Sequence, residues 1–350
     1  MLLPKDFDEL LKRGDLDELK AIFDACDLNA RDRDFKQPTL AFDECPDALA
    51  CWLVAQGANL AATDAWGATP LHTRSWSRQG RIAILLELGA DIHSHSPTGG
   101  SPLRGGTPLH AAAFGHNVEN VRLLLDRGAQ VDSLDDAGLT PLELALRYCE
   151  NIHIEAMPTL AKSLLSAGAR QTPRMKTFVE EIGKRFEFSR EVFNPKFVDA
   201  FSDALSELYA LFDVPPAPLR KLHDAKTSIV VEATDWREQH QELWELLVPG
   251  RGPAATVQGE VIRISGRIEY ELDNNGGDNW DADFKRMADA FLKHIQKGNP
   301  LPPTELAEAA ALIVEVKRKS GNVVRMCQLA VAWALLNPSP IMLKPPTYHR

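Results

Sequence analysis

A chain of 350 residues with 44% hydrophobic and 25% charged residues has the composition of a folded globular protein, with room for two or three domains and none of the bias of a disordered one. No apolar run approaches the ~18 residues that a membrane span needs, and the opening MLLPKDFDELL turns acidic where a secretory leader would stay apolar. The net charge of −10 sits mostly in the first half: residues 1–170 hold 16 Lys/Arg against 24 Asp/Glu, and residues 171–350 hold 23 against 25. An acidic surface of this kind is a poor platform for nucleic acid, whose binding rests on neutralised phosphates, and suits a basic protein surface better.

Along the chain, residues 5–30 carry Leu10, Leu11, Leu16, Leu19 and Phe23 around Gly14, the pattern of a short terminal helical unit. Residues 34–60 keep Thr39-Leu40 and close on Gly57-Ala58-Asn59. A fuller pattern then appears three times. Thr69-Pro70-Leu71-His72, Thr107-Pro108-Leu109-His110 and Thr140-Pro141-Leu142-Glu143 each open a unit that closes on Gly89-Ala90, Gly128-Ala129 and Gly168-Ala169. Thr before Pro is a helix start, because the hydroxyl serves the orphan N–H groups and Pro at the first helical position gives up no needed donor. Leu109, Ala112 and Ala113 put a thin apolar face on one helix, and Val121, Leu123, Leu124 and Leu125 a thicker one on the next. Gly128 ends the second helix where a left-handed residue is required.

A period of about 33 residues with this content resembles the ankyrin repeat, two antiparallel helices and a finger per unit, stacked because neither helix buries its face alone. The resemblance is strongest over residues 64–132. It implies an all-α solenoid of about five units, the outer ones degenerate, working through a concave protein-binding face. Two surpluses interrupt the array, the Gly/Pro/Ser-rich SHSPTGGSPLRGG before Thr107 and the stretch from Asn151 to Pro158; insertions in such arrays map to loops.

After Gly168 the repeat signal stops. Met175, Phe178, Val179, Ile182 and Phe186 follow one helix face, as do Phe197, Phe201, Ala204, Leu205, Leu208 and Phe212. Asp235 with Glu238 has the spacing of a capping box before Trp236–Leu247. Residues 257–272 read either as a strand through Ile262, Ile264 and Ile268 or as a helix through Val257, Val261, Ile264, Ile268 and Leu272; steps of four and three favour the helix. Further helices are expected near 280–296, 304–318 and 322–337. The division expected is a solenoid over 1–172, a capping or linker helix over 173–192 and an α-helical bundle over 193–350. The bundle, with LWELLVPGRGPAATVQGEVIRISG, is similar to helical domains of bacterial proteins in toxin–immunity neighbourhoods. That likeness implies a cytoplasmic immunity or inhibitor protein; a two-partner adaptor or scaffold is the alternative, and an enzyme with an unrecognised site in the helical half ranks behind both.

Chemistry is thinly represented. There is no Gly-rich phosphate loop, nucleophile elbow or HExxH, and no enzyme activity, cofactor or metal is expected. Asp91, His93 and His95 are an incomplete ligand set. Asp273–Asp281 departs from the calcium-loop pattern, and His153-Ile154-Glu155 lacks the Pro-Cys-x-x-Cys of zinc deaminases. Five cysteines, Cys149 among them, fit free thiols in a reducing compartment. Partner-binding candidates are richer. The position four after the last residue of each box is Trp76, Phe114 and Arg147, with Tyr148 beside the last and Trp66 in a finger; aromatic and Arg residues aligned on a concave face have hot-spot composition. Asp135 and Asp136 add negative charge near one finger. The partner expected is another protein, basic in character and in the immunity reading a toxin domain, with no nucleic acid and no membrane.

Overall fold

The computed structural model describes residues 2–96 and 103–349; residues 97–102, most of the Gly/Pro/Ser-rich insertion, lie outside the described residues. The chain is all-α: sixteen α-helices and no β-strand occur among the described residues. They divide into two compact units, Met1–Phe186 with Asn194–Ala217 and Glu187–Phe193 with Pro218–Arg350.

The first unit opens with α1 (Phe7–Arg13) and α2 (Leu16–Ala21). A 3-10 turn at Thr39–Ala41 precedes α3 (Asp47–Ala55), and then come α4 (Pro70–Trp76), α5 (Ala83–Glu87), α6 (Pro108–Phe114), α7 (Val118–Asp126), α8 (Pro141–Arg147) and α9 (Met157–Ser166). These are the helix pairs of five stacked units. The short helices form one row, in which α6 packs on both α4 and α8. Leu109, Ala111, Ala112 and Ala113 are all fully buried, as are Val121 and Leu124 on the longer partner α7. Small residues let the short helices approach closely, and each buried Leu contributes about 1.5–3 kcal/mol. Gly57, Gly89, Gly128 and Gly168 close successive units at φ of 102, 93, 88 and 97°, the left-handed turn that the Gly-Ala repeat predicts.

The box residues tie each unit to the next. The Thr107 N–H donates to Nδ1 of His110 at 3.0 Å, which fixes the tautomer, and His110 Nε2 donates to the Leu139 carbonyl of the following finger at 3.1 Å. His72 repeats the arrangement, with Thr69 Oγ1 on its Nδ1 at 2.8 Å and its Nε2 on the Gly106 carbonyl at 3.1 Å. The third box replaces His by Glu143 and keeps the logic: the carboxylate accepts the Thr140 N–H at 3.0 Å and the Thr172 hydroxyl at 2.6 Å. Both imidazoles are fully buried. Burial pushes the His72 pKa down to about 4 and lowers that of His110, against the pull of their carbonyl partners.

Two longer helices follow, α10 (Pro173–Ser189) and α11 (Pro195–Phe212). α10 buries Met175, Val179, Ile182 and Phe186 as expected. α11 packs on α9 and belongs to the first unit, although the sequence division at 193 assigned it to the second half. Helical spacing gives the buried face of α11 (Leu205, Leu208 and Phe212) but does not say which neighbour covers it.

The second unit contains α12 (Trp236–Leu247), α13 (Val257–Glu269), α14 (Ala282–His294), α15 (Pro303–Val316) and α16 (Val323–Leu336). The helical reading of 257–272 holds as far as Glu269, where the chain passes into a π-helical turn, Tyr270–Asn274. α13 is packed against α12, α14 and α16, which is why apolar residues crowd more than one of its faces and mimic a strand. Its polar residues are buried but satisfied. Glu260 pairs with Arg263 at 2.6 Å and accepts the Tyr348 hydroxyl at 2.8 Å, and the Gln258 amide donates to the Asn337 carbonyl at 2.8 Å.

Candidate protein-binding groove

Each short helix of the array ends on a large side chain at the same register, and the structure brings three of them into line. The Trp76 ring, at the end of α4, meets Phe114, at the end of α6, edge-on at 5.6 Å between centroids. Phe114 in turn meets Tyr148, just past α8, at 5.2 Å. The spacing rule names Arg147 for the third position, but the ring that continues the line is Tyr148; the Arg147 guanidinium lies over that ring at 5.6 Å. Trp76 and Tyr148 remain 46% and 39% exposed, so the line is an open surface rather than core.

The ladder lies along a groove of about 700 Å3 whose walls also hold Asp8, Asp32, Asp34, Asp43, Glu44 and Glu150 against only Lys12 and Arg78. Ser77, following α4, donates its hydroxyl to Asp43. Burial still raises the Asp43 pKa, opposed by that hydrogen bond and by the Arg74 charge. Arg74 is fully buried, and none of its three guanidinium nitrogens has a hydrogen-bond partner among the described residues. At the far wall His153 stacks face to face on His116, 4.1 Å apart and 5° from parallel, while His116 Nε2 donates to the Ala145 carbonyl at 3.1 Å. Burial and the neighbouring imidazole push His116 down to about 4.

The other sequence candidates have different places. Trp66 stacks on Phe35 at 5.2 Å and 26°, joining two finger tips, and Phe35 rather than Trp66 lines the groove. Asp135 is a correction. It is only 8% exposed, and its Oδ1 accepts the N–H groups of Ala137 at 2.9 Å and Leu139 at 2.8 Å, folding its own finger as Asp64 does for Trp66 and Ala68. Such an Asx turn ties up one carboxylate oxygen, and Asp32 in the groove is held the same way by the N–H groups of Phe35 at 3.0 Å and Gln37 at 2.9 Å; burial is what sets Asp135 apart. Asp136 is exposed but outside the groove. Apart from Glu150, the acidic residues that do line it come from the degenerate first units, where sequence reasoning placed no site. One signal was available: residues 1–50 hold 13 Asp/Glu against 7 Lys/Arg.

His95 Nδ1 is engaged by the Gly105 carbonyl at 2.6 Å, and no group of three or more potential metal ligands occurs among the described residues. Cys149 is buried, and burial pushes its thiol up to about 12. Among the described residues no helix is long and apolar enough to cross a membrane.

The ankyrin-repeat family (three copies) matches residues 77–173. The chain is 34% identical over 106 residues to the ankyrin repeat protein FPV223 of fowlpox virus, a match covering 30% of this chain and 70% of that protein. It is 29% identical over 133 residues to Rabankyrin-5 of Mus musculus, covering 33% of this chain, and 45% identical over 60 residues to Inversin of Danio rerio, covering 17%. Those two matches span only 11% and 6% of the larger proteins. Stacked repeats, the recurring box and a match that covers more than two thirds of the viral protein agree: this chain belongs to the ankyrin-repeat family.

Proposed function

We propose that the groove is where this protein-interaction module holds its partner, and that the segment it takes is basic. The observation that carries this reading is the pairing of an open aromatic ladder, Trp76–Phe114–Tyr148, with six carboxylates on the same walls. Rigid aromatic side chains give large contact area at low entropic cost and set residence time, while the carboxylates steer and select positive charge. Arg and Lys side chains answer both features, because their cations are attracted to ring faces as well as to carboxylates.

Two uses of such binding follow from the sequence. As an inhibitor of immunity type, the chain would cover the basic cleft of a toxin; as an adaptor, it would hold one partner here and another through the second unit. The groove serves either use, and the partner's own activity in the complex separates them. The binding reading is tested by selecting random displayed peptides on the intact chain. Enrichment of Arg/Lys-rich sequences that no longer bind Trp76→Ala combined with Tyr148→Ala is the expected result. Selection of acidic or uncharged sequences, or of binders indifferent to that double variant, would remove the groove from the argument.

A further inference from the structure

The second unit has a recess of its own, about 520 Å3 in volume, within the size range of small-molecule sites. Three aromatic rings wall it: Trp244 of α12, Tyr270 of the π-helical turn and Phe284 of α14. Gly266 makes the first wall possible, since a Cβ there would come within 2.7 Å of the Trp244 ring. Trp244 is braced from behind by Phe188, stacked at 6.1 Å, and Phe284 by Trp280, stacked at 5.1 Å. Tyr270 stays 63% exposed over the opening. The turn that carries it is a π-helix, a rare geometry that recurs at functional sites.

The polar groups of the recess are not equivalent. Glu271 is fully committed, accepting the Asn279 N–H at 2.6 Å and the Asn275 amide at 3.1 Å. His240 is bonded to the Ser265 hydroxyl at 3.1 Å and held neutral by burial, its pKa pushed down to about 4. Glu269 differs from both: it is half-buried on the recess wall and makes no side-chain hydrogen bond or ion pair among the described residues. Burial, and then Asp273, raise its pKa, and Arg267, the one cation among the described residues of the same wall, is already engaged in an interaction of its own.

We propose that this recess binds a small organic cation, an alkylammonium head group seated among Trp244, Tyr270 and Phe284 with Glu269 as its counter-ion. Ring faces carry the negative end of the aromatic quadrupole and attract a cation most where water is excluded. A neutral apolar ligand would leave the Glu269 carboxylate without a partner, and an anion would meet Glu269 on the wall, with the nearby Asp273 charge adding to the repulsion.

The test is calorimetric titration of the full chain with choline, beside its neutral isostere 3,3-dimethylbutan-1-ol, which has the same shape and no charge. Choline should bind at least about tenfold more tightly than the isostere. Glu269→Gln and Tyr270→Ala should each weaken choline by about tenfold, while Tyr270→Phe, which keeps the ring face, should stay within about twofold. Tyr270 is exposed, so its variants should keep the wild-type melting temperature. Equal binding of the isostere, no choline binding at millimolar concentration, or an unaffected Glu269→Gln variant would each overturn the proposal. A trimethyllysine peptide in a parallel titration distinguishes the source of the head group. Peptide affinity no greater than that of choline supports a small soluble ligand, and markedly tighter binding overturns that source in favour of a protein side chain.

Discussion

Gly115 lies directly on Trp76: a Cβ at residue 115 would come within 2.0 Å of the Trp76 carbonyl oxygen and 2.7 Å of its indole Cδ1. The contact lets the end of α6 close onto the end of α4, which sets the 5.6 Å spacing of the Trp76 and Phe114 rings. The ladder is therefore a product of backbone approach as much as of side-chain choice. Gly115→Ala should force the two units apart and destabilise the array by about 1–3 kcal/mol, the usual cost of overpacking. Urea melts of the variant check this, with an unchanged midpoint counting against the close approach.

The buried imidazoles make stability fall in acid. His72 is pushed down to about 4 and His110 below its ordinary value by burial, whereas both return to about 6.5 when the chain unfolds. The unfolded state therefore binds more protons as the pH drops below 6.5. The histidines' contribution is intact above that value and is lost as the pH falls toward and through 4. Gln at both positions keeps an acceptor for the Thr N–H and a donor for the next finger without titrating. His72→Gln combined with His110→Gln should flatten the decline in melting temperature between pH 6.5 and 4; a wild-type slope would place the acid sensitivity elsewhere.

Much of the array was legible because each of its signals is local. Thr-Pro caps, Gly-Ala turns and the small apolar face of α6 are written within one unit and repeat. The aromatic line was half legible: equal register named Trp76 and Phe114, but Tyr148 takes the third ring position because α8 ends at Arg147 and the next residue turns inward to the stack. Asp135 was misread because composition cannot distinguish a free carboxylate from one folding its own turn. The acidic wall was missed because Asp32, Asp34 and Asp43 stand in units without the box, where only tertiary stacking brings them beside Trp76. Likewise α13 looked like strand or helix because burial on several sides adds Ile262 beside the main apolar face, so that Ile262, Ile264 and Ile268 mimic alternation.

Arg74 carries a further prediction. It is fully buried, and among the described residues no hydrogen bond reaches its guanidinium; burial outweighs the compensating charges of Asp43 and Asp47. A cation in that position costs more in lost hydration than it recovers. Arg74→Met keeps the length and the apolar stem, so it should be neutral or raise stability by up to about 3 kcal/mol in denaturant melts. A clear loss of stability would mean that the guanidinium has a partner in solution, and that its surroundings are a built ion site.

The groove divides its labour between charge and rings, and kinetics can resolve the two. Long-range attraction from the exposed Asp34 and Glu44 acts before contact and is screened over a Debye length of ~8 Å at physiological salt. Trp76 and Tyr148 act after contact, when their exposed rings are desolvated. For an Arg/Lys-rich peptide selected on the chain, Asp34→Asn with Glu44→Gln, both exposed on the groove wall, should slow association by roughly 3–10-fold at low salt and by less as salt rises, leaving dissociation nearly unchanged. Trp76→Ala should do the reverse, speeding dissociation by about tenfold or more with little change in association. Because Asp135 is occupied by its own finger, replacing it should lower the melting temperature rather than the on-rate. Surface plasmon resonance over a salt series separates these outcomes. If the paired carboxylate variant and Trp76→Ala both bind with wild-type rates, the partner does not lie in the groove.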